Sequence, residues 1–110
     1  MSENCASYEL KDGVLYICPF GDIDHDKTVK LRECSDSFIE RGKPYLIVFD
    51  LERVDFVDSA GIGFIMGRYR TCGRKCGLKA VNVSPYVARI FKYAGLHQIM
   101  DIQVRRDKNE

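Results

Sequence analysis

Residues 45–49 read Tyr-Leu-Ile-Val-Phe, an unbroken apolar run that stops at Asp50. A short β-rich run without polar alternation predicts a strand covered on both faces, as in the middle of a parallel sheet. The rest of the chain organises around it. Leu78 to Val83 and Ile99 to Val104 are further strands, and the intervals between the three carry helical periodicity. Upstream, Cys5 to Lys11 and Val14 to Phe20 flank Asp12-Gly13, a strong hairpin signal because glycine takes positive φ without a Cβ clash. Pro19 cannot donate to a ladder, so it marks a strand end or an edge and makes the hairpin peripheral. The predicted order is ββαβαβαβ. This is one layered α/β domain with a mixed, mostly parallel sheet and interspersed helices, its core running over about residues 5–104.

The helices have readable ends. The first starts near Asp26 or Thr28 and runs to Arg41, with Leu31, Cys34, Ser35, Phe38 and Ile39 on one face and Gly42 and Pro44 as the stop. The second opens at Ser59 and runs to about Cys72, with Ile62, Ile65, Met66 and Tyr69 as its predicted buried stripe. The third begins at Ser84-Pro85, a cap followed by proline at the first helical position, and ends at Ala94 before Gly95. Arg105 to Glu110 is a polar tail expected to fray.

Composition narrows the function classes. The chain has 110 residues, enough for one hydrophobic core, and a formal net charge of +1. That balance provides neither the basic field typical of nucleic-acid binding nor an acidic field. No stretch reaches the roughly 20 apolar residues of a membrane span, and MSENCASYEL lacks the features of a signal peptide. The expectation is a cytoplasmic protein with no membrane and no nucleic-acid partner. Five cysteines, an odd number, predict reduced thiols. Cys72 and Cys76 would share a helical face; without a second pair they are two small semi-buried residues rather than a metal site.

The segment Asp58-Ser59-Ala60-Gly61-Ile62-Gly63-Phe64-Ile65-Met66-Gly67 is the most unusual. It holds three glycines near a helix start, each costing about 1 kcal/mol relative to alanine in a helix interior. A phosphate loop needs G-x-x-x-x-G-K-[ST], which is absent. The dinucleotide fingerprint fails because the last glycine stands one residue too far along, and the esterase elbow fails because Val57 occupies its first glycine position. Nucleophilic catalysis at Ser59 would need a base, and the only histidines are His25 and His97. Taken alone, Ser59 reads either as an N-cap or as a modification site. A phosphate there would meet the free amides of a helix N-terminus and, beside Asp58, build a dense negative spot.

Beyond these local readings, Phe49-Asp50-Leu51 and Val54-Asp55-Phe56-Val57-Asp58-Ser59-Ala60-Gly61-Ile62-Gly63 resemble the signature of anti-sigma-factor antagonists, which carry the STAS domain. The acidic loop Gly21-Asp22-Ile23-Asp24-His25, Gly67-Arg68-Tyr69, Val83-Ser84-Pro85-Tyr86-Val87 and Ala94-Gly95-Leu96 match it too, over about residues 8–104. Asp24-His25 and Gly67-Arg68-Tyr69 look most like the sporulation branch. The resemblance implies a non-enzymatic switch that needs no cofactor or metal and is monomeric on its own. Its unphosphorylated form would bind an anti-sigma factor with serine kinase activity and release the sigma factor. Phosphorylation of Ser59 would end the complex, and a serine phosphatase would restore it. It also implies a partner surface of Asp22, Asp24, His25, Asp58, Ser59, Gly61, Ile62 and Gly63.

Two departures stand out. Ala60 replaces a second serine common among relatives, and residues 105–110 are too short and polar to replace their usual C-terminal helix. The alternatives are a STAS interaction module in another signalling or transporter-associated pathway and a small α/β enzyme.

Overall fold

The computed structural model describes residues 5–72 and 76–106. Two antiparallel strands, β1 (Ala6–Lys11) and β2 (Val14–Pro19), precede α1 (His25–Gly42), β3 (Leu46–Asp50), α2 (Ser59–Cys72) and β4 (Gly77–Val83). Then follow α3 (Pro85–Tyr93), a 3-10 turn at Leu96–Gln98 and β5 (Asp101–Val104). The hairpin closes where predicted, with Asp12 at φ 53° and Gly13 at φ 80°, the paired positive φ of a tight two-residue turn.

The sheet order is β1-β2-β3-β4-β5, antiparallel only in its first pair. Right-handed crossovers into a monotonic strand order place every helix on the same side. Two adjacent rows of the register show the consequence. Tyr8, Ile17, Phe49, Ala80 and Ile102 align across the five strands and belong to, or pack against, the single buried core cluster. The next row is Glu9, Tyr16, Val48, Lys79 and Asp101.

This corrects the two-sided reading of the 45–49 run. β3 is central, but its second face carries no helical layer. Val48 stays buried between Tyr16 and Lys79 in its row, where long side chains flank it. Tyr45, 61% exposed, lies outside the strand.

Three further boundaries differ from expectation. Gly42 is the last helical residue of α1, and Lys43 takes the left-handed cap at φ 44°. Gly42 serves close packing instead, since a Cβ there would collide with the Leu10 side chain of β1. The last strand begins at Asp101 rather than Ile99, because the Ile99 and Met100 amides both donate back to the Leu96 carbonyl at 3.1 Å. Arg105 is tied down rather than frayed. Its amide donates to the Val83 carbonyl at 2.8 Å, and its guanidinium donates to the Glu52 carbonyl at 2.7 Å and Asp55 Oδ1 at 3.3 Å. The remainder of the expected tail, residues 107–110, lies outside the described residues.

The reduced-thiol expectation also fails for one pair. α2 ends at Cys72, and Cys76 stands just before β4, which brings their Cα atoms to 5.5 Å and allows a Cys72–Cys76 disulfide. Cys5, Cys18 and Cys34 lie outside any disulfide. Burial, with the Asp50 charge adding to it, raises the Cys18 thiol above its ordinary pKa.

Candidate functional site

The loops that follow β2 and β3 leave neighbouring parallel strands at the same end of the sheet. Backbone hydrogen bonds stitch them together. The Gly21 amide donates to the Arg53 carbonyl at 2.9 Å, Ile23 to Phe56 at 3.0 Å and Asp58 to Ile23 at 3.3 Å. Ile23 and Val57 form a parallel bridge, and both side chains are buried. The apolar anchors of two otherwise acidic loops thus hold them in register, with Asp22, Asp24 and His25 exposed on one and Ser59 exposed just beyond the other.

Each loop hands the chain to a helix through an aspartate. Asp24 caps α1, accepting from the Lys27 amide at 3.1 Å. Asp58 does the same for α2: Gly61 N–H donates to Asp58 Oδ1, and Ile62 N–H to the Asp58 carbonyl, each at 3.0 Å. The cap is therefore Asp58, not Ser59. Ser59 occupies the first helical position, exposed. The reason is geometric: the Asp58 amide is drawn to Ile23, which turns its side chain onto the first turn.

Gly61 is buried directly against this seam. A Cβ there would sit 2.5 Å from Val57 Cγ1 and 3.0 Å from the Ile23 carbonyl oxygen. Ile62 is half-buried and Gly63 exposed, so the first turn of α2 alternates between an anchoring and an open side. His25 lines a cleft between α1 and α2 together with Ala60 and Gly63. Among the described residues, no hydrogen bond joins its imidazole to the Ser59 hydroxyl.

The buried face of α2 differs from the predicted stripe. Gly61, Phe64, Ile65 and Arg68 are buried, whereas Tyr69 is 43% exposed and Ile62 and Met66 are half-buried. Arg68, with only 3% of its side chain exposed, reaches across to α1. Its Nη1 lies 2.7 Å from Asp36 Oδ1 and donates to Ser35 Oγ at 3.1 Å and the Arg32 carbonyl at 3.2 Å. Its guanidinium lies 5.2 Å from the Phe64 ring centroid. Burial lowers the Arg68 pKa from its ordinary value, and the Asp36 charge works against that shift. In the sequence Arg68 stands out only within the triplet Gly67-Arg68-Tyr69. Its spacing of three from Ile65 and four from Phe64 was the available signal.

Near the start of α2, Phe56 and Tyr86 stack at 6.4 Å, both partly exposed. No helix among the described residues is long and apolar enough to cross a membrane.

Fold and site together define a domain that presents a helix start, with an exposed serine, on a hydrogen-bonded pair of loops. Comparison with known proteins gives the family and the fold. The STAS domain model matches residues 6–109. An anti-sigma F factor antagonist of Paenibacillus polymyxa is 38% identical over 91 residues, covering 82% of this chain and 78% of that protein. An anti-sigma-B factor antagonist of Bacillus subtilis is 32% identical over 88 residues, covering 79% of each. The anti-sigma factor antagonist SpoIIAA in its unphosphorylated form superposes with a TM-score of 0.72 at 23% identity, over 94% of this chain and 91% of that one. Its phosphorylated form, from Bacillus, gives 0.71 at 25% identity over 94% and 93%. The chain belongs to the STAS-domain family, among its anti-sigma-factor antagonists.

Proposed function

We propose that the unphosphorylated chain binds an anti-sigma factor with serine kinase activity and so frees a sigma factor, and that phosphorylation of Ser59 ends the complex. A serine phosphatase resets the switch. The observation that carries this reading is the division of labour at the start of α2. Asp58 supplies the cap, so the fold does not need the exposed Ser59 hydroxyl.

A phosphoserine adds a charge of about −1.5 to −2. At position 59 it would stand beside the Asp58 carboxylate, on a helix N-terminus that tolerates the group locally while a docked partner does not. A hundredfold loss of affinity corresponds to about 2.7 kcal/mol, within reach of repulsion and desolvation at one interface. Asp22, Asp24 and His25, together with Gly61, Ile62 and Gly63, are the proposed contact surface around the serine. The existence of solved unphosphorylated and phosphorylated forms of SpoIIAA supports the modification.

The reading places the chain in the cytoplasm as a monomer that acts by binding. The sporulation role rests on the resemblance of Asp24-His25 and Gly67-Arg68-Tyr69, and similarity to antagonists of both an anti-sigma F and an anti-sigma-B factor is compatible with it or with another pathway. The test is to incubate the chain with the anti-sigma kinases of its own genome and ATP, and to map the modified residue. Ser59→Ala should bind without being phosphorylated, and Ser59→Asp should bind weakly. Phosphorylation of Ser59→Ala to the wild-type extent would remove the assignment.

A further inference from the structure

Two of the three glycines in α2 have no internal explanation. A Cβ on Gly61 would collide, but a Cβ on Gly63 or Gly67 would meet no heavy atom within 4 Å. Each of these two costs the helix about 1 kcal/mol relative to alanine, and no packing within the chain offsets it. They stand at i and i+4, so together they leave a smooth strip along one side of α2.

That strip borders the cleft between α1 and α2, of about 480 Å³. Three arginines line it, Arg32, Arg68 and Arg70, and no aspartate or glutamate does. This is a marked local asymmetry in a chain whose net charge is +1. Arg68 is 3% exposed, and its buried Nε has no hydrogen-bond partner among the described residues. Its charge is met by Asp36 at 2.7 Å, which leaves the exposed Arg32 and Arg70, neither of them in an ion pair among the described residues, as the cleft's open positive charges.

We propose that the cleft receives an acidic helix of the anti-sigma factor. Its backbone crosses Gly63 and Gly67, and its carboxylates meet the exposed Arg32 and Arg70 at the rim. The inference rests on the function proposed above and deepens it by naming the partner's segment. The missing side chains let a second helix approach more closely than the usual 8–10 Å between helix axes. The positive lining selects for carboxylates and speeds encounter. The cleft is also continuous with the acceptor, since Ala60 lines it and directly follows Ser59. A phosphate on Ser59 would thus face an acidic helix, which gives the switch a direct electrostatic cause.

The test measures binding of the unphosphorylated full chain to the anti-sigma factors of its own genome by calorimetry, with thermal denaturation in parallel. Gly67→Leu fills the strip with a better helix former, so its melting temperature should hold or rise while affinity falls at least about tenfold. Arg70→Glu should lose a similar factor, and its residual binding should depend less on salt. If both variants bind within about twofold of wild type while wild type binds, the cleft is not the docking site and this inference alone falls. Loss with Gly67→Leu but none with Arg70→Glu overturns the acidic occupant. If wild type binds no anti-sigma factor, the proposed function fails and takes this inference with it.

Discussion

The Asp58 carboxylate accepts the Gly61 amide at 3.0 Å, so the residue that caps α2 and the exposed serine beside it are neighbours but not the same. Had Ser59 been the cap, phosphorylation would have altered the hydroxyl that held the helix. Because Asp58 holds it, the proposed phosphate on Ser59 would leave the capping hydrogen bond intact. Asp58→Ala should therefore cost about 1 kcal/mol, lowering the melting temperature by roughly 4–8 °C for a domain of this size. Ser59→Ala should stay within about 0.5 kcal/mol of wild type. Equal losses in circular-dichroism melts would contradict this assignment of the cap.

Alanine substitutions should split the glycines of α2 by sign. Gly61→Ala forces a methyl against Val57 and the Ile23 carbonyl, and should destabilise by about 1–3 kcal/mol. Gly67→Ala enters open space and should stabilise by up to about 1 kcal/mol. Urea midpoints at constant m would show the opposite shifts, and a shared sign would refute the packing account.

Arg68 links α2 to α1 through Asp36, Ser35 and the Arg32 carbonyl. Removing one partner of a fully buried pair costs about 3–5 kcal/mol. Asp36 is 39% exposed and water recovers part of that, so Arg68→Ala should cost on the order of 2–3 kcal/mol. Arg68→Met keeps the apolar stem against Phe64 and should cost less. Chemical denaturation of the two variants would decide, and equal losses would mean that the stem contributes nothing.

Reduction of Cys72–Cys76 should leave the chain folded. The closed loop is short, with a sequence separation of 4, and the loop-entropy relation gives about 2 kcal/mol for it. Urea unfolding with and without a dithiol should show that modest loss. Unfolding on reduction alone would mean that the bond carries the domain.

Much of this architecture is legible locally. The Asp12-Gly13 turn, the Ser84-Pro85 cap and the Gly95 stop act through residues within one turn of each other, and the structure contains all three. In the candidate site, the serine at a helix start and the acidic loop at residues 21–25 are equally readable. The cap at α2 was not, because Asp58 and Ser59 are both competent caps and the choice follows from Ile23, 35 positions earlier in the chain. The buried stripe of α2 was misjudged for a similar reason. Hydropathy favours Tyr69 over Arg68, but Asp36 and Ser35 on another helix provide the charge and acceptor that let the arginine go inside.

By itself, then, the sequence determined the alternation of strands and helices, the position of their main turns and the placing of a serine at the start of α2, because periodicity and turn chemistry are short-range. Tertiary structure decided which face of β3 is covered, which aspartate frees Ser59, which glycines are needed for packing and which stand open beside three arginines. Those outcomes depend on contacts between residues tens of positions apart. There the balance lies between desolvation and pairing, not in any residue's own preference.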